Sequence, residues 1–187
     1  MLKKLNWQYI KPPLILTIIC IISTALLVFA YNLTYQDTTG KITDKLKSGL
    51  EDVLGDGKYE MLLTKNDEGN SVPLVYDGIT SIIKDDKGQT AFEITVDGYA
   101  KGGLHVLVGI DEKGAVSGVS ILSIGETPGL GTKVQNQSFL DSFKGIDKTP
   151  VEVDSITGAT YSSKGMKNAV SLALSTYQSE KGEILGE

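Results

Sequence analysis

A threonine at the start of a predicted helix is the residue of this chain best placed for covalent chemistry. Thr160 ends a loop, and apolar residues recur at the spacing of one helix face over residues 161–177. Gly158 and Ala159 leave the backbone open, so a bulky group can approach the threonine hydroxyl. The first amides of a helix have no partner within it and carry the positive end of its dipole. The segment therefore suits a phosphate-bearing group beside Thr160.

On spacing alone, the same segment also fits an ordinary helix start. Asp154 and Thr157 carry oxygens that can accept hydrogen bonds from nearby backbone amides. A helix that is capped in this way needs no ligand. The residue types by themselves leave both interpretations open.

The order of residues in this segment resembles a known signature. Residues 154–162 read DSITGATYS, which is similar to the D-x-x-[ST]-G-A-[ST]-x-[ST] motif of an FMN-binding domain family. That domain occurs in the G subunit of Rnf-type electron-transport complexes and in the C subunit of sodium-pumping NADH:quinone reductases. The resemblance extends over most of residues 40–180 and implies that Thr160 holds FMN through a phosphoester bond. It also implies further cofactor-binding residues around this threonine: Asp154, Thr157, Gly158, Ala159, Ser162 and Ser163.

A second loop rich in glycine and proline directly follows a predicted strand. Residues 125–133 read GETPGLGTK. One proline with Gly129 and Gly131 predicts a tight turn that cannot continue the sheet. By composition alone, the loop is a connection into a short helix over residues 138–143.

This loop is also similar to the second hallmark of the same family, E-T-P-G-L-G, which faces the flavin. The resemblance implies that Glu126 and Thr127 hydrogen-bond the isoalloxazine or ribityl group. It further implies that Leu130 packs on the ring and that Lys133 helps to fold the loop. Gly129 and Gly131 complete the implied cofactor-binding set.

The N-terminal part of the chain predicts a membrane-spanning helix. Residues 14–31 contain no charged side chain, and such a run, at about 1.5 Å per residue, crosses most of a bilayer's hydrocarbon core. The alternative is a cleaved signal peptide, because residues 28–30, Val-Phe-Ala, resemble a cleavage site. The apolar run is longer than a usual signal-peptide core, which favours an uncleaved anchor.

Charge on either side of this span predicts its orientation. Basic residues precede the span without any acidic residue, which places residues 1–13 in the cytoplasm. A polar stalk over residues 32–40 then leads to an extracytoplasmic domain over residues 41–187. The lysines that carry this prediction are Lys3, Lys4 and Lys11.

Composition limits what the external domain can bind. The chain has 187 residues, 41% of them hydrophobic, which allows one packed domain plus an appendage. All 18 basic residues are lysines, against 23 acidic residues, so the external domain is acidic. This argues against nucleic acid or anionic lipid as its partner. The single cysteine, Cys20, excludes a disulfide, a cysteine-ligated zinc site and a complete iron–sulfur cluster within the chain.

The remaining pattern predicts an α+β domain with an antiparallel sheet and flanking helices. An amphipathic helix over residues 42–54 stops at Gly55. His105 falls in a strand pattern without a nucleophile partner, so we expect a sheet residue rather than a catalytic one. The predicted strands are β-branched segments separated by glycine- and aspartate-rich turns: residues 89–96, 103–110 and 115–124.

The resemblance implies that the protein relays electrons through covalent FMN within a larger membrane complex. Such a complex couples electron transfer between ferredoxin and NAD to Na⁺ or H⁺ transport, and a separate flavin transferase attaches the FMN. The chain has no complete dinucleotide fingerprint, so we expect no site of its own for NAD or ferredoxin, and no metal site. The alternatives are the C subunit of a sodium-pumping NADH:quinone reductase and a non-redox, membrane-anchored binding module.

Overall fold

The computed structural model describes residues 7–34 and 41–186, with side chains from residue 11 onward. Contacts divide the chain into two compact units, the first ending at Asp37 and the second beginning at Thr38. Lys3 and Lys4 of the predicted basic flank lie outside the described residues. Residues 35–40 of the predicted stalk lie outside them as well.

The first unit contains one long apolar helix, Trp7–Thr34 (α1). Its residues 11–34 are long and apolar enough to cross a bilayer, and all of their side chains are exposed. The hydroxyls of Thr17, Ser23 and Thr24 donate to backbone carbonyls one turn earlier in the helix. These hydroxyls therefore need no water, which suits a hydrocarbon environment. The helix extends the predicted span of residues 14–31 at both ends.

The second unit is built on an antiparallel sheet. The strands are Tyr59–Met61 (β1), Leu63–Lys65 (β2), Ser71–Pro73 (β3), Ile79–Asp85 (β4), Thr90–Val96 (β5), Leu104–Ile110 (β6) and Val116–Ile124 (β7). Five of them form the main sheet, in the order β1-β4-β5-β6-β7. A separate hairpin pairs β2 with β3.

The last three strands confirm the predicted strands to within one residue at each end. The first four were not predicted. Three of them have only three residues each, too few to show a period of two. The other, β4, is buried at most positions because helices cover both sheet faces, so it lacks the alternation of a half-exposed strand.

A helix packs on each face of the sheet. Asp44–Leu54 (α2) begins after Thr43, whose Oγ1 accepts a hydrogen bond from Leu46 N at 3.3 Å, and ends at Gly55, φ +79°. Its buried residues pack on one face against Ile83, Ala91, Leu107 and Leu122. Two further helices follow β7, Gln137–Asp141 (α3) and Thr160–Leu185 (α4). Helix α4 covers the other face, where its buried residues meet Phe92, Ile94, Val106 and Val108.

Helix α4 approaches the turn after β5 very closely. A Cβ on Gly165 would lie 2.5 Å from the carbonyl oxygen of Asp97, so only glycine fits there. This contact sets the first turns of α4 against the turn that joins β5 to β6. The helix is longer than the predicted run 161–177, and Glu180 interrupts its regular dihedral angles with φ −110° and ψ 16°.

Two short helical segments join β7 to the long final loop. Gly131–Gln135 forms a 3₁₀ helix, and α3 follows it. Helix α3 begins one residue earlier and ends two residues earlier than the helix predicted over residues 138–143. The Oδ1 atom of Asn136 caps α3 by accepting from Ser138 N at 3.0 Å.

Candidate functional site

The loop after β7 is a tight turn, as its composition predicts. Leu130 N donates to Thr127 O at 3.2 Å, closing a four-residue turn with Pro128 and Gly129 in its centre. Gly129 has φ +74°, the left-handed value that the third position of a type II turn requires. The turn leaves Thr127 and Leu130 exposed and leads directly into the 3₁₀ helix.

A second turn immediately precedes α4. Ala159 N donates to Ile156 O at 2.9 Å, and Gly158 has φ +81°. Ser163 Oγ accepts from Ile156 N at 3.0 Å, which fastens this turn to the first turn of the helix. Two different hydrogen bonds therefore fix the backbone that leads to Thr160.

The start of α4 carries no side-chain cap. Its N-cap is Ala159, and no acidic residue lies in the first turn. Asp154 and Thr157 therefore do not cap the helix, which corrects the interpretation as an ordinary capped helix start. The Thr160 side chain is exposed and makes no hydrogen bond within the part of the chain that the structure describes.

The two loops and the helix start enclose one cavity of about 430 Å³. The predicted site residues that the fold brings together here come from both motifs: Thr127, Leu130, Gly131, Gly158, Ala159, Thr160 and Ser162. Two tyrosines complete the lining, Tyr99 and Tyr161. Residues that are separate in sequence thus converge around the Thr160 hydroxyl.

Six of the other predicted residues do not line the cavity: Asp154, Thr157, Ser163, Glu126, Gly129 and Lys133. Ser163 is buried under the helix start, and Asp154 is exposed at a distance along the loop. Gly129 lies at the outer corner of its turn, where its amide donates to Thr132 Oγ1 at 2.9 Å. Lys133 Nζ donates to Thr157 O at 3.4 Å, so this lysine links the two loops.

Glu126 is buried behind the cavity, with its side chain directed into the protein. One carboxylate oxygen, Oε2, accepts from Tyr99 N at 3.0 Å and from the hydroxyl of Ser162. The other, Oε1, accepts from Ala100 N at 3.1 Å. The carboxylate therefore joins the β5–β6 turn to the first turn of α4. A contact between Glu126 and flavin stays a prediction, because these hydrogen bonds all lie within the chain.

The surroundings of Glu126 favour its ionised form. Burial by itself raises the pKa of a carboxyl group, but the hydrogen bonds from Ser162, Tyr99 and Ala100 outweigh it and lower the pKa of Glu126. Each of these donors stabilises the carboxylate rather than the acid. Glu126 is thus a charged group that is held by donors inside the fold.

Three glycines make room for this carboxylate. A Cβ on Gly98 or Gly131 would lie 2.6 Å from a Glu126 carboxylate oxygen, and a Cβ on Gly103 would lie closer still. These positions come from the β5–β6 turn and from the loop itself. The sequence shows glycines both in the β5–β6 turn and beside Glu126. Their spacing along the chain does not show that they meet around its carboxylate.

Tyr99 and Tyr161 are the lining residues that sequence reasoning missed. They lie on different elements, yet their ring centroids are 6.1 Å apart at an interplanar angle of 71°. The only local signal was an aromatic residue in a glycine-rich turn. Tyr161 occupies one of the unspecified positions of the motif, so the resemblance says nothing about it.

His105 lies on β6, on the sheet face that carries α2, and not at this cavity. Its Nε2 is 2.8 Å from Glu93 Oε1, while the Ser81 hydroxyl donates to the other oxygen of Glu93. The hydrogen bond with His105, together with that from Ser81, lowers the pKa of Glu93 against the effect of burial. Since Ser81 bonds the glutamate and not the histidine, the three residues form no serine–histidine dyad.

Comparisons with known proteins match the part of the chain that builds the cavity. The model of the FMN-binding domain family matches residues 98–175, which contain every residue that lines it. The G subunit of the ion-translocating oxidoreductase complex of Aliivibrio fischeri strain MJ11 is 28% identical, over 94% of this chain and 93% of its own. The G subunit of the Na⁺-translocating ferredoxin:NAD⁺ oxidoreductase complex of Acetobacterium woodii is 36% identical over 49% of each chain.

Among solved structures, the C subunit of the Na⁺-translocating NADH-quinone reductase from Parabacteroides distasonis has a TM-score of 0.48 and 20% identity. The match covers 76% of this chain and 83% of that one. The matches of the family model and of the relatives lie on the residues that build the cavity and on most of the remaining chain. Residues 98–175 of this chain therefore match the FMN-binding domain family, and the chain resembles G subunits of ion-translocating oxidoreductase complexes over nearly its whole length.

Proposed function

We propose that this chain is the FMN-carrying G subunit of an ion-translocating oxidoreductase complex, with the FMN joined to Thr160 through a phosphoester. One observation carries the proposal: the Thr160 hydroxyl is exposed, makes no described hydrogen bond and lines a cavity at an uncapped helix start. A hydroxyl in this position is accessible to a transferase and free to become an ester. The proposal makes Thr160 an attachment point, not a catalytic group.

The cavity fits the size and chemistry of FMN. Its volume of about 430 Å³ lies within the range of small-molecule sites, roughly 300–1,000 Å³. Tyr99, Leu130 and Tyr161 supply apolar surface of the kind that a flavin ring requires, and Thr127 supplies a hydroxyl. Gly131 and Gly158 contribute only backbone to the lining.

The end of the cavity at Thr160 fits a phosphate. The first amides of α4 carry partial positive charge, and neither a side-chain cap nor an acidic residue in the first turn competes for them. Lys133 adds a full positive charge nearby. Its Nζ would lie 3.5 Å from a Cβ atom placed on Gly158. A phosphodiester at Thr160 would keep one negative charge and be stabilised there.

In this role the chain holds a cofactor and passes electrons between other subunits. Bound FMN supplies one- and two-electron chemistry, while the protein positions it and partly shields it from water. Electrons would come from and go to neighbouring membrane and peripheral subunits, and a separate flavin transferase would form the ester. The Acetobacterium woodii relative belongs to a ferredoxin:NAD⁺ oxidoreductase complex, which makes ferredoxin and NAD⁺ the candidate end points of electron transfer here. Na⁺ or H⁺ would be the transported ion.

We also propose that α1 is an uncleaved anchor with the second unit outside the cytoplasm. The boundaries proposed from the sequence are residues 1–13 for the cytoplasmic end, 14–31 for the span, 32–40 for the stalk and 41–187 for the external domain. The basic flank supports this orientation, and the exposed apolar length of α1 supports the span. Protease accessibility of the domain in cells with an opened wall tests it.

The attachment site is tested by expressing the full chain with a flavin transferase and mapping the flavin. We expect flavin fluorescence in a denaturing gel for the unchanged chain and none for Thr160→Ala. A proteolytic peptide containing Thr160 should gain the mass of FMN less one water. Retention after denaturation distinguishes a covalent flavin from a bound one.

Thr157→Ala is the matched control, because it removes a neighbouring exposed hydroxyl of the same motif. We expect this variant to keep a covalent flavin. If the added mass lies on Thr157 or Ser162, or if Thr160→Ala still fluoresces after denaturation, the proposed attachment is wrong. A colourless protein from its native host would instead favour a binding module without a redox role.

A further inference from the structure

Exposed apolar side chains of the second unit are concentrated at the cavity. Within residues 41–186, the large hydrophobic residues that are exposed are Leu63, Val75, Tyr99, Leu130 and Tyr161. The last three all line the cavity at Thr160. The Tyr99 and Tyr161 side chains are 75% and 67% exposed. Such a cluster, in an otherwise acidic domain, indicates that another group covers it.

We propose that Tyr99 and Tyr161 form the seat of the isoalloxazine ring of the flavin at Thr160. The inference rests on the proposed function, since it takes the attached flavin as the covering group. Tyr161 directly follows the attachment residue, and Tyr99 contacts Tyr161. Leu63 and Val75 do not line this cavity, so within the described domain the two tyrosines and Leu130 are the exposed large apolar surface available to the ring.

The fold holds the two tyrosines in place independently of any ligand. Glu126 Oε2 accepts from Tyr99 N and from the hydroxyl of Ser162, the residue after Tyr161. One buried oxygen atom therefore binds the backbone of Tyr99 and the side chain of the residue that follows Tyr161. The rings meet edge to face, an arrangement that aromatic pairs favour. The seat is thus formed before the flavin is attached, which lowers the cost of ordering it.

The size and shape of the cluster favour a flavin ring over a partner protein as its cover. A standard protein interface buries about 800 Å² on each partner and involves about 20–30 residues. Here the exposed apolar cluster has only three side chains, and they lie in the lining of a concave cavity, the form that small-molecule sites take. A planar aromatic ring matches both the area and the chemistry of the tyrosine pair.

Flavin fluorescence in the full flavinylated chain tests this seat. A tyrosine in contact with an excited flavin gives it one electron and then takes the electron back, so the flavin returns to its ground state without emitting. Leucine and phenylalanine are much harder to oxidise and do not quench in this way. We expect Tyr99→Leu and Tyr161→Leu each to raise the flavin fluorescence of the intact protein, relative to an equal concentration of free FMN. The double variant should show the largest rise.

Tyr99→Phe and Tyr161→Phe keep the shape of the seat and should give the same rise, so the test does not depend on packing. Tyr59→Leu is the matched control. Because Tyr59 lines a different cavity, this variant should leave the flavin fluorescence of the intact protein unchanged. If flavin is attached but the double variant of Tyr99→Leu with Tyr161→Leu leaves the flavin fluorescence unchanged, the seat is overturned and the proposed function stands. If the unchanged chain carries no covalent flavin, both are overturned.

Discussion

Replacing Glu126 with glutamine tests how the cavity at Thr160 is held together. The carboxylate is only 5% exposed and accepts three hydrogen bonds from two separate elements. A glutamine has nearly the same shape, but one of its two terminal atoms is a donor. Whichever way the amide is turned, its NH₂ group must face an N–H or O–H group that now donates a hydrogen bond to the carboxylate.

The expected loss follows from the number and kind of these bonds. The best orientation of the amide keeps its oxygen toward Tyr99 N and Ser162 and leaves its NH₂ facing Ala100 N. A hydrogen bond to a charged group contributes about 1.5–3 kcal/mol, and an unsatisfied buried donor costs about 1–3 kcal/mol. With the two remaining bonds weakened by loss of the charge, we expect Glu126→Gln to lower the free energy of unfolding by about 2–4 kcal/mol.

Urea denaturation, followed by circular dichroism at neutral pH, measures this loss as a change in midpoint at constant slope. Glu112→Gln is the matched control, because Glu112 is exposed and makes no described hydrogen bond. That variant should stay within about 0.5 kcal/mol of the unchanged chain. A Glu126→Gln midpoint equal to that of the control would refute the role of the carboxylate.

The pH dependence gives a second check on the same residue. Folding lowers the pKa of Glu126, so its contribution to the free energy of unfolding is fully present above the ordinary glutamic acid pKa of about 4.3. The contribution disappears as the pH falls through the lower, folded-state pKa. Since glutamine does not titrate, the difference in stability between the two chains should narrow on acidification. A difference that grows at acid pH would contradict the sign of the shift.

Two further predictions concern the opposite sheet face and the membrane. His105→Leu should lower the free energy of unfolding by about 1–3 kcal/mol at neutral pH, because half-buried Glu93 loses its hydrogen bond with His105. That cost should shrink as the pH falls through the folded-state pKa of Glu93, and urea midpoints at neutral and acid pH measure it. Protease added to cells with an opened wall should digest the second unit, and the intact protein should retain its first residues. A mature N-terminus at Tyr31 would mean a cleaved signal peptide.

The sequence was most informative where short-range physics decides structure. The apolar span, the start and end of α2 and strands β5 to β7 follow from periodicity and capping residues, and the structure agrees with each to within a few residues. The turn around Pro128 and Gly129 was also predictable, because a left-handed glycine after proline has few alternatives. The short strands β1 to β3, and β4, which is buried on both faces, were not predicted. Neither kind of strand gives a clear alternation of apolar and polar residues.

What only the tertiary structure decided is which distant residues meet. Sequence and family resemblance predicted an attachment site at Thr160, but neither the inward orientation of Glu126 nor the pairing of Tyr99 with Tyr161. Both depend on how closely α4 approaches the β5–β6 turn, which Gly165 permits by having no side chain. Local preferences act over a few residues and are readable along the chain. A contact between a strand turn and a helix start is decided by packing across the whole sheet.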